Sequence, residues 1–207
     1  MSQTEAHYTE LLEISKRLQI PIIVHFHGYD VFQRQCLIKN AIKYARLFKE
    51  LTGAIAVSKE MLAALIEMGI AENKIIYSPC GCDDVFLSKE IPSDRNGLIA
   101  VGRFVEKKGP LLTIKAFQIA LAQNPALQLT FIGNGPLLEE CIQFVKQNQL
   151  ENSISFLGNQ PHHHVLDRMN ASAIFIQHSV TAQDGDREGT PVSVMEAQAL
   201  GLPVIST

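Results

Sequence analysis

Glu188-Gly189-Thr190-Pro191-Val192-Ser193-Val194-Met195-Glu196-Ala197-Gln198-Ala199-Leu200-Gly201, followed by Leu202-Pro203-Val204-Ile205-Ser206, is the stretch around which the chain is organised. Pro191 suits the first position of a helix, where its missing N–H costs nothing. Gly201 suits the residue just past the helix end, where a left-handed backbone is needed. Pro203-Val204-Ile205 then reads as a short buried strand. Glu188 falls in the loop before the helix, and Glu196 about one and a half turns into it. The helix start presents unpaired N–H groups and a partial positive charge, which favour an anion. Two carboxylates beside such an anion site suit a ligand with a phosphate and several hydroxyls, such as a nucleotide sugar.

Outward from this stretch, strands and helices alternate through most of the 207 residues, which predicts parallel sheets covered by helices. Residues 5–18 have Tyr8, Leu11, Leu12, Ser15 and Leu18 at helical spacing. Strands are expected at 21–26, 54–57, 74–78, 98–101, 127–132, 153–157 and 173–176. A helix over 33–50 is expected to bury Cys36, Ile38, Ile42, Ala45 and Phe48. Ser58 reads as the N-cap of a helix that Gly69 closes. A helix from Pro110 turns Leu111, Leu112, Ile114, Phe117 and Leu121 inward, and another holds Leu137, Leu138, Cys141, Ile142 and Val145. The polar run Ser88–Gly97, with Pro92 and Gly97 and no period, reads as a linker. The expected division is residues 1–88, a linker at 89–97, and residues 98–207.

Composition narrows the class. With 46% hydrophobic and 19% charged residues the chain is an ordinary globular sequence. A net charge of -3 offers no basic excess for a nucleic-acid backbone. No apolar run approaches the ~20 residues of a membrane span, and Met1-Ser2-Gln3-Thr4-Glu5 lacks signal-peptide character, so a cytoplasmic location is the expectation. Cys36, Cys80, Cys82 and Cys141 lack the paired spacing of a zinc site and are expected as reduced thiols. His162-His163-His164 cannot converge on one ion without distortion and reads as a solvated helix start.

Two strand-to-helix turns offer binding chemistry. In Gly102-Arg103-Phe104-Val105-Glu106-Lys107-Lys108-Gly109, Gly102 permits a close backbone approach, while Arg103 and Lys108 bring two cations to a diphosphate. Such turns lie at the carboxyl ends of strands, where parallel α/β sheets bind ligands. Gly133-Asn134-Gly135-Pro136 leaves room for a ligand edge, although a tight turn needs the same glycines. Gly158-Asn159-Gln160-Pro161 is similarly ambiguous.

The E-G-x-P-x-x-x-x-E-A-x-A-x-G-x-P-V-I pattern of residues 188–205 resembles the signature of retaining GT-B glycosyltransferases of the family 4 type. With His178–Arg187 before it, the stretch is similar to enzymes that assemble exopolysaccharides such as colanic acid. The resemblance spans nearly the whole chain and implies a GT-B fold of two Rossmann-like domains. The G-R-x-x-x-x-K-G pattern resembles the family's pyrophosphate site, with Gly102, Arg103 and Lys108 in those roles. It implies that Gly133 and Asn134 lie near the nucleobase and that Glu196 accepts hydrogen bonds from the ribose. Glu188 would position the transferred sugar and stabilise charge near the reacting carbon, helped by the Gly189 and Thr190 N–H groups. His25-Phe26-His27-Gly28-Tyr29-Asp30 resembles the H-G-x-D segment of the acceptor domain. His27 is then the histidine facing the donor sugar, His25 is expected to point into the sheet, and Asp30 to cap the next helix. Gly81 and Asp83 resemble the turn that closes the first domain.

These implications amount to a sugar transferase using a nucleoside-diphosphate sugar and a glycan or lipid-linked acceptor, with no metal or other cofactor expected. Catalytic candidates are Glu188, His27, Arg103 and Lys108. Lipid-linked acceptors leave room for peripheral membrane association at the inner face. The first part has few strands and the chain stops straight after a strand, so an internal piece of a longer enzyme, inactive alone, is the expectation. Two alternatives remain: a nucleotide-binding remnant without turnover, and another GT-B enzyme such as a nucleotide-sugar epimerase.

Overall fold

The computed structural model of the chain describes residues 7–207, with side chains from Leu11 onward. Met1–Glu5, the first residues of the helix expected from position 5 and the Tyr8 side chain lie outside the described residues. Two compact units divide the chain: residues 1–80 with 183–190, and residues 81–182 with 191–207.

In the first unit, short apolar runs form the parallel sheet β1 (Ile23–Phe26), β2 (Gly53–Ala56) and β3 (Ile75–Tyr77), in that order. Helices α1 (His7–Leu18), α2 (Tyr29–Phe32), α3 (Arg34–Glu50) and α4 (Lys59–Glu67) accompany it. Phe26, Leu47, Ala54, Ala56, Met61 and Leu65 form its fully buried centre. The Ser58 hydroxyl caps α4 by accepting from the Met61 N–H at 3.1 Å, as expected. Gly69 follows the α4 end with φ 104°.

The apolar stripe of α3 is not the expected one. Cys36, Asn40, Tyr44, Leu47 and Phe48 face inward, whereas Ile38 and Ile42 are 78% and 88% exposed and Ala45 is exposed. The inward set repeats at four, four, three and one residues, a true helical face. Asn40 and Tyr44 can occupy it because Asn40 Nδ2 donates to the Cys36 carbonyl at 2.9 Å and the Tyr44 hydroxyl to the Asp30 carbonyl at 2.9 Å. Leu11 and Leu18 are likewise exposed on α1, where Leu12 is buried.

The second unit is a five-stranded parallel sheet of order β6-β5-β4-β7-β8, with β4 Leu98–Val101, β5 Leu129–Ile132, β6 Ile154–Phe156, β7 Ile174–Gln177 and β8 Val204–Ser206. Its helices are α5 (Asp84–Leu87), α6 (Pro110–Gln123), α7 (Leu138–Gln147), α8 (His162–Ala171) and α9 (Val192–Ala199). Strand residues alternate between two cores. Ile99, Ile132 and Phe175 pack with α8 and α9 residues, and Ala100, Phe131 and Leu129 with Ile114, Phe117, Cys141 and Val145. Leu112, expected inward, is 46% exposed. Four free cysteines agree with the thiol reading, and burial, followed by the charge of Glu140, pushes Cys141 up to about 11.

The division departs from the expected one on both sides of the polar run. Phe86 is fully buried in the core of the second unit, and Arg95 holds residues 88–97 against it. Arg95 Nε donates to the Asn170 carbonyl at 3.0 Å, and one terminal nitrogen to Asn170 Oδ1 at 3.0 Å and the Leu200 carbonyl at 2.6 Å. The guanidinium thus satisfies carbonyls at the C-terminal ends of α8 and α9. Asp83 caps α5 through the Val85 N–H, a structural role as expected. Gly81 has open space around it and no positive φ, so the backbone does not require glycine there.

Candidate functional site

Chain order places the switch point of the five-stranded sheet between β4 and β7. Successive strands run outward from β4 through β5 to β6, then return to β7 on its other side. Ligands of open α/β sheets bind outside the carboxyl ends of the strands at this crevice. Gly102-Arg103 leaves β4 there, and Gln177 ends β7. The buried Gln177 Oε1 accepts from Lys108 Nζ at 3.3 Å and from the Ser193 hydroxyl at 2.9 Å, while its Nε2 donates to the Ser179 hydroxyl at 3.1 Å. The Lys108 stem runs over Gly102, where a Cβ would meet Lys108 Cδ and Cε at 3.7 Å. Arg103 beside it is exposed. The recess lined by Gly102, Arg103, Phe104, Lys108 and Gln177 measures about 30 Å³, room for one water. A recess of about 610 Å³ lies at the opposite end of the sheet, along residues 96–99 and 124–128, with Arg168 its only charged lining residue. Volume there outweighs chemistry; the convergent polar groups are at the switch point.

The turns after β4, β5 and β6 meet. Gly102 N–H donates to the Ile132 carbonyl at 3.0 Å, Gly133 N–H to the Gly158 carbonyl at 2.9 Å, and Phe104 N–H to the Asn134 carbonyl at 2.9 Å. Gly133 has φ 138°, and a Cβ there would lie 1.9 Å from the Gly102 oxygen. Packing alone therefore requires glycine at 133. Asn134 Oδ1 accepts the Gly135 N–H at 2.7 Å.

Pro191 is the N-cap of α9 rather than its first residue: its carbonyl already accepts from the Val194 and Met195 N–H groups at 3.1 and 3.4 Å. Gly201, at φ 66°, closes α9 as expected, with its N–H on the Gln198 carbonyl and the Leu202 N–H on the Ala197 carbonyl, both at 2.9 Å. Glu196 is buried on α9 with Oε1 3.4 Å from His162 Nε2. The His162 ring sits edge-on to Phe86, centroids 5.2 Å apart. All three histidines of the run are exposed, as expected of a solvated helix start, with His162 touching Glu196 and His164 Nδ1 3.4 Å from Gln160 Oε1. Among the described residues no three His, Cys, Asp or Glu side chains are grouped to hold a metal ion.

Glu188, Gly189 and Thr190 belong to the first unit, so the two glutamates of one motif lie in different units. The 183–190 loop is fastened by Arg34 N–H to the Asp184 carbonyl (2.9 Å), Gln33 Nε2 to Asp184 Oδ2 (3.3 Å) and the Thr190 hydroxyl to the Val57 carbonyl (2.8 Å). Arg187 pairs with Glu60 at 2.7 Å and lies 4.0 Å over the Phe32 ring. A Cβ on Gly189 would press within 3.3 Å of Val57, and one on Gly28, at φ 116°, within 3.3 Å of the Arg187 carbonyl. The turn carrying His27 therefore abuts the loop carrying Glu188.

His25 does not point into the sheet. β1 alternates, with Val24 and Phe26 buried and His25 and His27 exposed on the same side, rings 4.1 Å apart. Partial burial, then the neighbouring His27, lower the His25 pKa against a smaller opposing effect of Asp30. Asp30 accepts the His27 and Gly28 N–H groups at 3.1 and 3.0 Å. Its burial raises its pKa, with those hydrogen bonds opposing.

The model of the family "Glycosyl transferases group 1" matches residues 83–207, more than half of the chain. The chain belongs to the group 1 glycosyl transferases. WcaL of Escherichia coli K12, provisionally named a colanic acid biosynthesis glycosyltransferase, is 34% identical over 185 residues, 88% of this chain and 46% of WcaL. The amylovoran biosynthesis glycosyltransferase AmsK of Erwinia amylovora is 31% identical over 195 residues, 93% of this chain and 48% of AmsK. This group 1 chain therefore spans about half the length of these curated relatives. Among solved structures, Anabaena HepE in complex with UDP and glucose superposes with a TM-score of 0.77 at 22% identity, over 98% of this chain and 57% of HepE. The pneumococcal O-GlcNAc transferase GtfA does so with 0.76 at 18% identity, over 96% and 39%. The likeness gives the fold: α/β, with two parallel sheets that match the Rossmann-like domains of GT-B.

Gln177, Ser193, His162 and Arg187 of this group 1 chain escaped sequence reasoning. Gln177 alone carried a signal, a polar residue closing the apolar run Ile174-Phe175-Ile176 at a strand end.

Proposed function

We propose that the chain carries the donor-binding part of a retaining glycosyltransferase, which moves a sugar from a nucleoside-diphosphate sugar to a glycan or lipid-linked acceptor in polysaccharide biosynthesis. UDP is the first nucleotide to try, since the HepE and GtfA structures are both described in complex with it. The observation that carries the reading is Lys108 held by Gln177 beside Gly102 and Arg103 at the switch point. Two cations in the turn that follows β4 stabilise the charge growing on the departing diphosphate. Glu196, oriented by His162, accepts the ribose hydroxyls, and the Gly133-Asn134 turn borders the base. Glu188, with the Gly189 and Thr190 N–H groups, positions the sugar and stabilises charge at its reacting carbon, and His27 faces a sugar hydroxyl. The acceptor oxygen bonds to the anomeric carbon on the face the diphosphate leaves, and its proton passes to a departing phosphate oxygen. No metal or other cofactor takes part in this reading. Among the described residues no helix is long and apolar enough to cross a membrane. A cytoplasmic location, at the inner membrane face, completes the proposal.

The test is a thermal unfolding scan of the chain with UDP, GDP and ADP. A ligand at a hundred times its Kd stabilises by about 2.7 kcal/mol, or roughly 5–10 °C for a chain of this size. One nucleotide should raise the transition, and Lys108→Ala and Glu196→Gln should each weaken its binding about tenfold to a hundredfold. Equal shifts in both variants and the parent would sink the site assignment, as would a cooperative transition that no nucleotide moves.

A further inference from the structure

His25 lies in β1 and His27 just past its end, so the pleat sends both side chains to one face, from Cα atoms about 6.6 Å apart. Both residues are exposed, and their rings stand 4.1 Å apart, tilted by 40°. Among the described residues no hydrogen bond or ion pair engages either ring. The backbone beneath them is fixed. β1 pairs with β2 from Ile23 with Gly53 to Phe26 with Ala56, and Val24 and Phe26 anchor the strand in the core from its other face. Asp30 Oδ1 accepts the His27 and Gly28 N–H groups at 3.1 and 3.0 Å, which holds the turn after His27. The charge of that carboxylate acts on both rings, so the local field favours a cation. Two neutral imidazoles on one face of a strand are nitrogen donors that converge on a single ion at about 2.0–2.1 Å after small side-chain rotations. Nitrogen donors select borderline transition ions, whereas magnesium and calcium require oxygen.

We propose that His25 and His27 form a two-histidine site for a divalent transition-metal ion of the zinc class. Water completes the coordination, which makes the ion exchangeable rather than structural. Such an ion is a blocking ligand and not a cofactor. In the transferase reading His27 faces a sugar hydroxyl, and a ring nitrogen bound to zinc has no lone pair left for it. The site itself stands on the geometry of the first unit; only this consequence rests on that reading.

The experiment is a zinc sulfate titration of the full 207-residue chain, followed by the carbon–proton NMR signals of its individual histidine rings. The His25 and His27 signals should move together, with one midpoint. His25→Asn should raise the zinc concentration that moves His27 on the order of a hundredfold, and His27→Asn should do the same to His25, because the second imidazole no longer binds intramolecularly. Amide spectra check that each variant keeps the β1–β2 pairing. His163 and His164 are the internal comparison. Their rings are 4.4 Å apart, but they are successive helix residues about 100° apart around the axis, and the nearby Asp167 is held by Lys89 at 2.8 Å. Different midpoints for His25 and His27, a midpoint unchanged when the other histidine is replaced, or no movement up to millimolar zinc overturns the inference. So does an equal response to magnesium sulfate, which would mark a general charge effect. A chain that takes zinc at this pair but shifts with no nucleotide keeps this inference and loses the transferase reading; the converse keeps only the latter.

Discussion

Replacing Gly133 by alanine separates two reasons for a glycine, and the size of the effect follows from its surroundings. The new Cβ would lie 1.9 Å from the Gly102 oxygen, and contacts under 3.0 Å are essentially never seen, so one backbone must move by about 1.1 Å. Both are tethered: Gly102 N–H to the Ile132 carbonyl at 3.0 Å and Gly133 N–H to the Gly158 carbonyl at 2.9 Å. Weakening these two bonds costs about 1 kcal/mol each. Holding a side chain near φ 138° adds roughly 2 kcal/mol. The expected loss is therefore about 4 kcal/mol. Gly158 is an internal control, because it has φ 63° with nothing within 4 Å of its virtual Cβ. Gly158→Ala should cost only about 1 kcal/mol. Amide hydrogen exchange across residues 98–101 and 129–132 should then accelerate roughly a thousandfold for Gly133→Ala and about fivefold for Gly158→Ala. Comparable effects of the two substitutions would refute the steric argument. A Gly133→Ala chain with parental protection but no nucleotide shift would show that the glycine makes room for ligand instead.

Three further outcomes follow. Arg95→Ala should destabilise the second unit by about 2–3 kcal/mol after allowance for partial exposure, since the Asn170 and Leu200 acceptors lose a charged donor; a loss under about 0.5 kcal/mol, by the same exchange measurement, would return residues 88–97 to the status of a loose linker. Because Asp30 has a raised pKa, the folded state binds its proton more tightly, so its ionised form is a liability above the folded pKa that fades as pH falls below the unfolded value. Asp30→Asn, which keeps the acceptor for the His27 and Gly28 N–H groups, should therefore match or raise thermal stability at neutral pH, whereas Asp30→Ala should lower it by about 1–2 kcal/mol; equal destabilisation by both would contradict the assignment. In the native chain at pH 8, iodoacetamide should modify Cys80 and Cys82 first and spare Cys36 and Cys141, the latter held at about 11 by burial; rapid modification of Cys141 mapped by mass spectrometry would count against its burial.

What the sequence made legible was what local rules decide. Ser58 as a cap, Pro110 at a helix start and Gly201 past a helix end depend on a few neighbouring backbone groups, and each stands where expected. The α3 face was misread because hydrophobicity alone selected Ile38 and Ile42. Asn40 and Tyr44 could be buried only through hydrogen bonds to Cys36 and Asp30, and the second of these joins residues 14 apart. The polar run 88–97 looked unattached for a similar reason. Polarity says that a segment is not core, but not that its arginine reaches carbonyls 75 and 105 residues away.

The division of the glutamate motif carries this furthest. Glu188 and Glu196 are separated by seven residues, and on a continuous helix they would share one body. Pro191 has an extended ψ of 115° and starts α9 only after itself, so the segment before it is free to follow other contacts. Those contacts are Asp184 with Gln33 and Arg34, Arg187 with Glu60 and Phe32, and Thr190 with Val57, all in the first unit. A signature that reads as one site is thus divided between the two units. Its first glutamate is positioned by the unit that carries His27, and its second by the unit that carries Lys108. Each half answers to different substitutions: Arg187→Ala should loosen the 183–190 loop, while His162→Ala should act within the second unit, on Glu196 and Phe86.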